Sequence, residues 1–429
     1  MSSPVSIETN NTTFVVVSFE GPDRYSMAGC LGARVSHLSR TLASLGFDTH
    51  LLFIGDPLKG GCERSLDGKL TLHRWCQWIS RYHPDGVYQA EEEKLRDFQE
   101  SAPPFIASEI IRPAVRQGKL VVVLAEEWQT AGSVCRLGDL LKAEGVWDRV
   151  LTLWNANSTQ SFERIDWARL SRSAVLTTVS HYMKYLMWQL ELCPMVIPNG
   201  IPRSMLRKVG GDKIGAMWRA LGSKLVLSKI AYWYPHKRWD TAIEATARLK
   251  SKGRPILLLA RGCAEASEGE VADLARRVGL TVKDVICEGS TTEARLAAIE
   301  EASEADVLNL KFWPHEELRR IIYCAADEVL ANSGHEPFGQ MALEAMAAGG
   351  IAFTGCTGEE YAVPLENAVV LETDDPQEIV EYVTYLEDNR EKKESIRKAA
   401  RRMARHYTWE EIVSLLIGRL EYLAATRAA

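Results

Sequence analysis

From residue 224 onward the chain alternates in a way that few folds accommodate. Short apolar runs at 224–230, 256–261, 284–288, 306–310, 328–332 and 350–354 read as buried strands. Between them, residues 239–251, 268–278, 291–303, 315–326 and 339–348 place apolar side chains at helical spacing. Strand–helix–strand repeats of this kind predict an α/β fold with a parallel, doubly wound sheet. Three further helical stretches, 376–388, 390–404 and 408–425, close the chain.

The first half opens in a related way. Phe14 to Phe19 reads as a strand, Gly29-Cys30-Leu31-Gly32 as a turn, residues 35, 38, 42 and 45 as the apolar face of a helix, and Thr49 to Ile54 as the next strand. This is the start of a second Rossmann-like unit, with glycines where a helix begins and backbone can approach a phosphate. Further strands are expected at 119–125, 150–154 and 175–179, and a helix at 105–116, whereas 55–104 shows no regular pattern. Met195-Val196-Ile197-Pro198-Asn199-Gly200-Ile201-Pro202 has the composition of a linker. A length of 429 residues exceeds one core. The expected domains are 1–200 and 201–405, followed by a terminal helix at 406–429.

Charge narrows the partners. The formal net charge is −6, and residues 1–200 carry 20 Lys and Arg against 22 Asp and Glu. Neither half is basic, which argues against nucleic acid and against docking on anionic lipid. No apolar run reaches the length of a membrane span, and the start of the chain lacks the pattern of a secretory leader. Nine scattered cysteines without a CxxC read as reduced thiols and not as a metal centre. The expectation is a cytoplasmic protein; the sequence leaves its oligomeric state open.

The stretch with most chemistry runs from Asn332 to Gly349. Pro337 and Gly339 break the chain between the strand at 328–332 and the helix that follows. The first amides of that helix and its dipole favour an anion. Glu336 precedes the helix and Glu344 lies about one turn in. A carboxylate can accept two hydrogen bonds from a vicinal diol, so acids on both sides of a phosphate seat suit a nucleotide sugar. Arg261, at the end of an earlier strand, is a further donor-site candidate.

The Glu336-Pro337-Phe338-Gly339 turn with Glu344 eight residues on resembles the donor site of retaining glycosyltransferases of family four. That resemblance implies the GT-B architecture: two Rossmann-like domains facing across a cleft, with the last helix crossing back to the first. It implies that Glu336 contacts the donor sugar and that the turn and helix start hold the diphosphate. The residues concerned are Phe338, Gly339, Gln340, Met341, Ala342 and Leu343. Glu344 would bind the ribose diol. It also assigns Lys237 to neutralising the diphosphate. The arginine expected five positions earlier is Tyr232, so Arg238, Lys229 or Arg261 would have to supply that charge. Phe312-Trp313-Pro314 falls where relatives hold the base.

In the first domain, Gly29 and Gly32 resemble the glycine loop of glycogen and starch synthases, with Met27 at the usual lysine position. Glu126-Glu127-Trp128-Gln129-Thr130-Ala131 is similar to their DWHTA stretch, and Trp154-Asn155 replaces a His–Asn pair. Trp128 and Asn155 are acceptor-side candidates. Arg34, Arg172 and Lys184 are candidates for a phosphate on the acceptor.

The implied reaction retains anomeric configuration. The chain contains no D-x-D triplet, which fits a metal-independent site with no cofactor beyond the nucleotide-sugar co-substrate. The first expectation is glucosyl transfer from UDP-glucose to a soluble sugar or sugar phosphate, as in sucrose-phosphate synthases. Alternatives are glucan elongation as in glycogen and starch synthases, a sugar-nucleotide 2-epimerase, and a non-catalytic sugar-nucleotide binding protein.

Overall fold

The continuous apolar runs become the strands of two sheets. A computed structural model describes residues 6–222, 224–262 and 268–427. The chain divides into one unit of Met1–Gly200 with Trp409–Ala429 and a second of Ile201–Thr408.

The first unit is built on β1 (Thr12–Val17), β2 (Asp48–Ile54), β3 (Cys62–Ser65), β4 (Leu70–Trp75), β5 (Leu120–Glu126), β6 (Val150–Ala156), β7 (Val175–Thr178) and β8 (Met195–Val196). Their order is β3-β4-β2-β1-β5-β6-β7-β8. All neighbours are parallel except β3 and β4. β1, β5 and β6 are buried almost throughout, which explains their unbroken Val- and Leu-rich runs. In the terminal helix Trp409–Arg427, Trp409 lies against Gly200, where an added Cβ would meet its ring at 2.7 Å.

Two expectations for this unit are corrected. Residues 55–104 are not irregular: they hold the antiparallel β3–β4 pair and the helix Glu91–Phe105. The helix expected at 105–116 is only the end of a run that starts at Glu91. Pro103 and Pro104 lie inside that run, where each removes a backbone donor. The π-helical Ile106–Ile111 follows directly and continues into Arg112–Arg116.

The second unit has β9 (Leu225–Ile230), β10 (Ile256–Arg261), β11 (Val282–Val285), β12 (Val307–Leu310), β13 (Glu328–Ala331), β14 (Ala352–Thr354) and β15 (Val369–Val370), ordered β11-β12-β10-β9-β13-β14-β15 and parallel throughout. Leu227, Ile243, Leu258 and Phe353 lie in its core. The helix Gly211–Leu221 and the short β15 are additional to the expected elements.

Chain order reverses between β9 and β13. In open α/β sheets ligands bind outside the carboxyl ends of strands at such a point. The loop after β9 carries Lys237 and the loop after β13 carries Glu336, so topology brings together two residues 99 positions apart. In the first unit the same reversal lies between β1 and β5.

Candidate active site

The turn after β13 is held from below by the loop after β14. Thr357 Oγ1 accepts from the Glu336 amide (2.9 Å) and donates to the Glu336 carbonyl (3.2 Å), and the Gly358 amide donates to the same carbonyl (2.9 Å). A Cβ at Gly358 would lie 2.2 Å from the Pro337 carbonyl oxygen, so only glycine permits this approach. Gly339 takes a left-handed conformation (φ +69°), and a Cβ there would strike Glu359 at 2.3 Å. The Tyr361 hydroxyl donates to the Gly339 carbonyl. The helix Gln340–Ala348 therefore starts abruptly, and its N-cap residue offers no side-chain cap. Its first amides have no acceptor within the helix.

Charged pairs flank this start. Lys237 Nζ lies 2.5 Å from Glu336 Oε2, with side-chain exposures of 15% and 21%, so the pair is set in the wall yet reachable. On the other side Arg319 Nε donates to Glu344 Oε2 at 3.2 Å. Burial pushes the Glu344 carboxyl above its ordinary range, and the Arg319 guanidinium opposes that shift. Glu359, buried beneath the turn, is pushed up to about 8, first by burial and then by the Glu336 charge.

Three arginines clamp the loop after β12. Arg261 Nε, Arg295 Nη1 and Arg319 Nη1 donate to the carbonyls of Phe312 (2.9 Å), Trp313 (3.1 Å) and Pro314 (3.3 Å) respectively. The Trp313 indole stays 45% exposed, with the Arg261 guanidinium 5.6 Å from its ring. Arg261 thus shapes this loop. Arg238 takes a left-handed backbone and donates through Nη1 to the Thr373 carbonyl. Tyr232 stacks on Tyr234 and brings no charge.

Residues 222–403 match the model of the family described as glycosyl transferases group 1. Solved structures with the same fold span nearly the whole chain at low identity. Sucrose-phosphate synthase from Thermosynechococcus elongatus matches with a TM-score of 0.68 at 16% identity, over 97% of this chain and 100% of that one. The catalytic domain of starch synthase IV from Arabidopsis thaliana matches with 0.68 at 16%, over 96% and 99%. An α,α-trehalose-phosphate synthase from Burkholderia xenovorans matches with 0.63 at 13%, over 95% and 100%. No curated protein matches the sequence. The fold is GT-B, with two Rossmann-like units.

The second unit thus assembles Lys237, Glu336, Phe338–Leu343 and Glu344 around one helix start. Sequence reasoning did not find Arg319, Arg295, Thr357, Glu359 or Tyr361. The Gly355-x-x-Gly358-Glu359 run, at the carboxyl end of the next strand, was the available signal.

The candidates of the first unit do not share one site. The phosphate seat expected at Gly29 and Gly32 is filled by the chain itself. Glu20 Oε2 accepts from the amides of Ala28 (3.2 Å), Gly29 (2.9 Å) and Gly32 (3.0 Å), and Tyr88 donates to Glu20 Oε1 (2.6 Å). A phosphate at these amides would have to displace the buried Glu20 carboxylate. Arg34 and Asn155 are buried in one network: Arg34 Nε and Asn155 Nδ2 both donate to Glu126 Oε2 (3.0 and 2.9 Å), and Arg34 also bonds Asn199. Trp128 is buried beneath the Arg164 guanidinium, 4.2 Å away, and lines a cavity of about 370 Å³ with Glu92, Arg96 and Arg169. Arg172 is exposed after a short helix, and Lys184 lies 5.6 Å from the Trp188 ring.

Glu127 is the strained residue of this region, at φ +66° and ψ 166°. Trp154 Nε1 holds its carbonyl (3.1 Å) and the Asn157 amide its carboxylate (2.7 Å). Burial, with the Glu126 charge adding to it, pushes Glu127 up to about 7 against the pull of the Asn157 amide. Among the described residues no helix is long and apolar enough to cross a membrane.

Proposed function

We propose that the chain transfers a hexosyl group, with retention of configuration, from a nucleoside diphosphate sugar to a soluble sugar or sugar-phosphate acceptor. UDP-glucose is the first donor to test. The observation that carries this reading is the uncapped helix start at Gln340, with Lys237–Glu336 on one side and Glu344–Arg319 on the other. In this reading the diphosphate lies on the helix start. Glu336 orients the sugar, Glu344 takes the ribose diol and Trp313 stacks on the base.

As the bond from the anomeric carbon to the phosphate oxygen breaks, negative charge grows on the leaving diphosphate. Lys237 and the helix dipole stabilise it. The acceptor oxygen forms the new bond to the same carbon, and its proton goes to the leaving phosphate. The step uses protein cations alone. The starch synthase among the similar structures is described as bound to ADP and acarbose, and the trehalose-phosphate synthase as bound to glucose-6-phosphate. Both descriptions support trying nucleotide donors and small sugar acceptors first.

A second reading, a sugar-nucleotide binding protein without turnover, is favoured by two observations. Tyr232 brings no cation, and Glu20 fills the glycine turn. A donor and acceptor panel read by nucleoside diphosphate release separates the two. Release that needs an acceptor supports transfer, and the anomeric form of the product then reports retention. Tight binding of donor with no release under any acceptor supports the second reading.

A further inference from the structure

In a chain of net charge −6, the stretch from Arg390 to Arg405 carries eight Lys and Arg against two Glu. Arg397, Arg401 and Arg405 recur every four residues at the end of the helix Arg390–Ala404, so like charges share one face, which by itself destabilises a helix. Two of them reach across to other elements. Arg397 Nη2 donates to the Ala326 carbonyl (3.4 Å) and Arg401 Nη2 to the Leu206 carbonyl. Arg320 Nη1, from the helix Glu316–Ala325, donates to the next carbonyl, that of Arg207 (3.3 Å). The Trp218 indole donates to the Ala325 carbonyl (3.1 Å) while its ring stays 55% exposed. Two pairs of successive carbonyls thus draw three guanidinium groups and an indole to one corner of the second unit.

The charge there is not balanced. Among the described residues neither Arg320 nor Arg401 has a carboxylate at ion-pairing distance, and Arg397 meets only Glu394, at 3.8 Å. Glu317 is taken by Lys213, and Asp327 and Glu328 by Lys393. Burial, and next the Arg405 charge, hold the Arg401 guanidinium below its ordinary range. Arg320 Nε and Arg397 Nε are buried with no acceptor in the protein. Holding a carbonyl uses one N–H of the five on a guanidinium, so donors and charge are left over. The helix Glu316–Ala325 runs back from the carboxyl end of β12 to the start of β13 at Glu328, so its end lies at the opposite edge of the sheet from the turn at Glu336.

We propose that this corner is a binding site for a small anion with two or more phosphate groups, held by Arg320, Arg397 and Arg401 with Trp218 alongside, and separate from the donor seat. Guanidinium forks match phosphate oxygens in pairs, and three of them call for more charge than one carboxylate carries. Such phosphates occur on free solutes and on lipid headgroups. The half-buried guanidinium groups favour the free form, which enters where a flat membrane surface does not.

The test is calorimetric titration of the whole protein with inorganic triphosphate while saturating UDP occupies the donor seat. Saturable binding is expected to persist under UDP and to raise the melting temperature. The double variant Arg397→Gln, Arg401→Gln should bind triphosphate about tenfold or more weakly, with UDP affinity unchanged. Arg405→Gln alters an exposed side chain and should weaken it about threefold. Vesicles of phosphatidylcholine with phosphatidic acid should show no arginine-dependent binding. No triphosphate binding by the parent, binding that UDP abolishes, or equal binding by parent and both variants would overturn the proposal. Arginine-dependent binding to vesicles without binding of triphosphate would overturn it as well. The proposal does not rest on the donor-site reading: if UDP fails to bind, that reading falls, and the same titration without UDP still decides this one.

Discussion

Lys237 Nζ meets Glu336 Oε2 at 2.5 Å across the point where the second sheet reverses its strand order. The pair joins the loop after β9 to the turn after β13, so a cation and a carboxylate stand together beside an uncapped helix start. If Lys237 stabilises the leaving diphosphate, Lys237→Ala lowers kcat/KM for transfer by more than tenfold, above about 1.4 kcal/mol. Initial rates of diphosphate release measure this, with a melting curve to show that the variant is folded.

Glu344 and Arg319 form the opposite wall, both largely buried. Removing one partner leaves the other charge without compensation, at a cost of about 3–5 kcal/mol. Glu344→Leu and Arg319→Met are each expected to melt well below the parent. The double variant should recover much of the loss while still failing to bind nucleotide. A double-mutant cycle from denaturation and nucleotide titration reads the coupling.

Glu359 supplies a pH signature. Its folded carboxyl is pushed up to about 8 by burial and the Glu336 charge, against an ordinary 4.5. Between these values the folded state holds a proton that the unfolded state has lost. Its contribution is therefore complete below about pH 4.5 and is lost as pH rises through 8. Glu359→Gln should match the parent in melting temperature near pH 5 and exceed it increasingly towards pH 8.5. Parallel melting curves at the two pH values check this.

The filled glycine turn of the first unit has its own test. Glu20→Ala strips acceptors from the amides of Ala28, Gly29 and Gly32. It should cost about 1–3 kcal/mol, the usual penalty for buried unsatisfied groups. Sulfate or phosphate should then restore melting temperature in the variant and not in the parent.

Trp313 stands exposed on a loop whose three successive carbonyls are held by Arg261, Arg295 and Arg319. A base stacked on an aromatic ring gains about 1–3 kcal/mol. Trp313→Ala is expected to weaken nucleotide binding about tenfold while leaving binding of free inorganic diphosphate unchanged. Competition titrations with both ligands measure the difference.

The second sheet was legible because most of its strands are buried on both faces and its helices are amphipathic; the exposed edge strand β11 lies at Val282–Val285 and not at the expected 284–288. The helices Trp239–Ser251, Pro376–Asp388 and Arg390–Ala404 start and stop where apolar spacing places them. The run 55–104 was not legible. β3 is an exposed four-residue edge, and Pro103 and Pro104 read as a break inside what is a continuous helix. The turn at 336–339 was readable from Pro337 and Gly339. Its supports were not, because Thr357, Glu359 and Tyr361 act through contacts that only the packing of β14 beside β13 creates. The partner of Gly29 and Gly32 was hidden for a similar reason: spacing shows that amides are available, and only the fold shows that Glu20 accepts from them.

A crystal structure of the protein with bound UDP or ADP tests the central claim most directly. The account predicts ribose hydroxyls within about 3 Å of the Glu344 carboxylate and the terminal phosphate against the amides that open the helix Gln340–Ala348. A nucleotide bound with its ribose away from Glu344, or with its phosphates off that helix start, would contradict it.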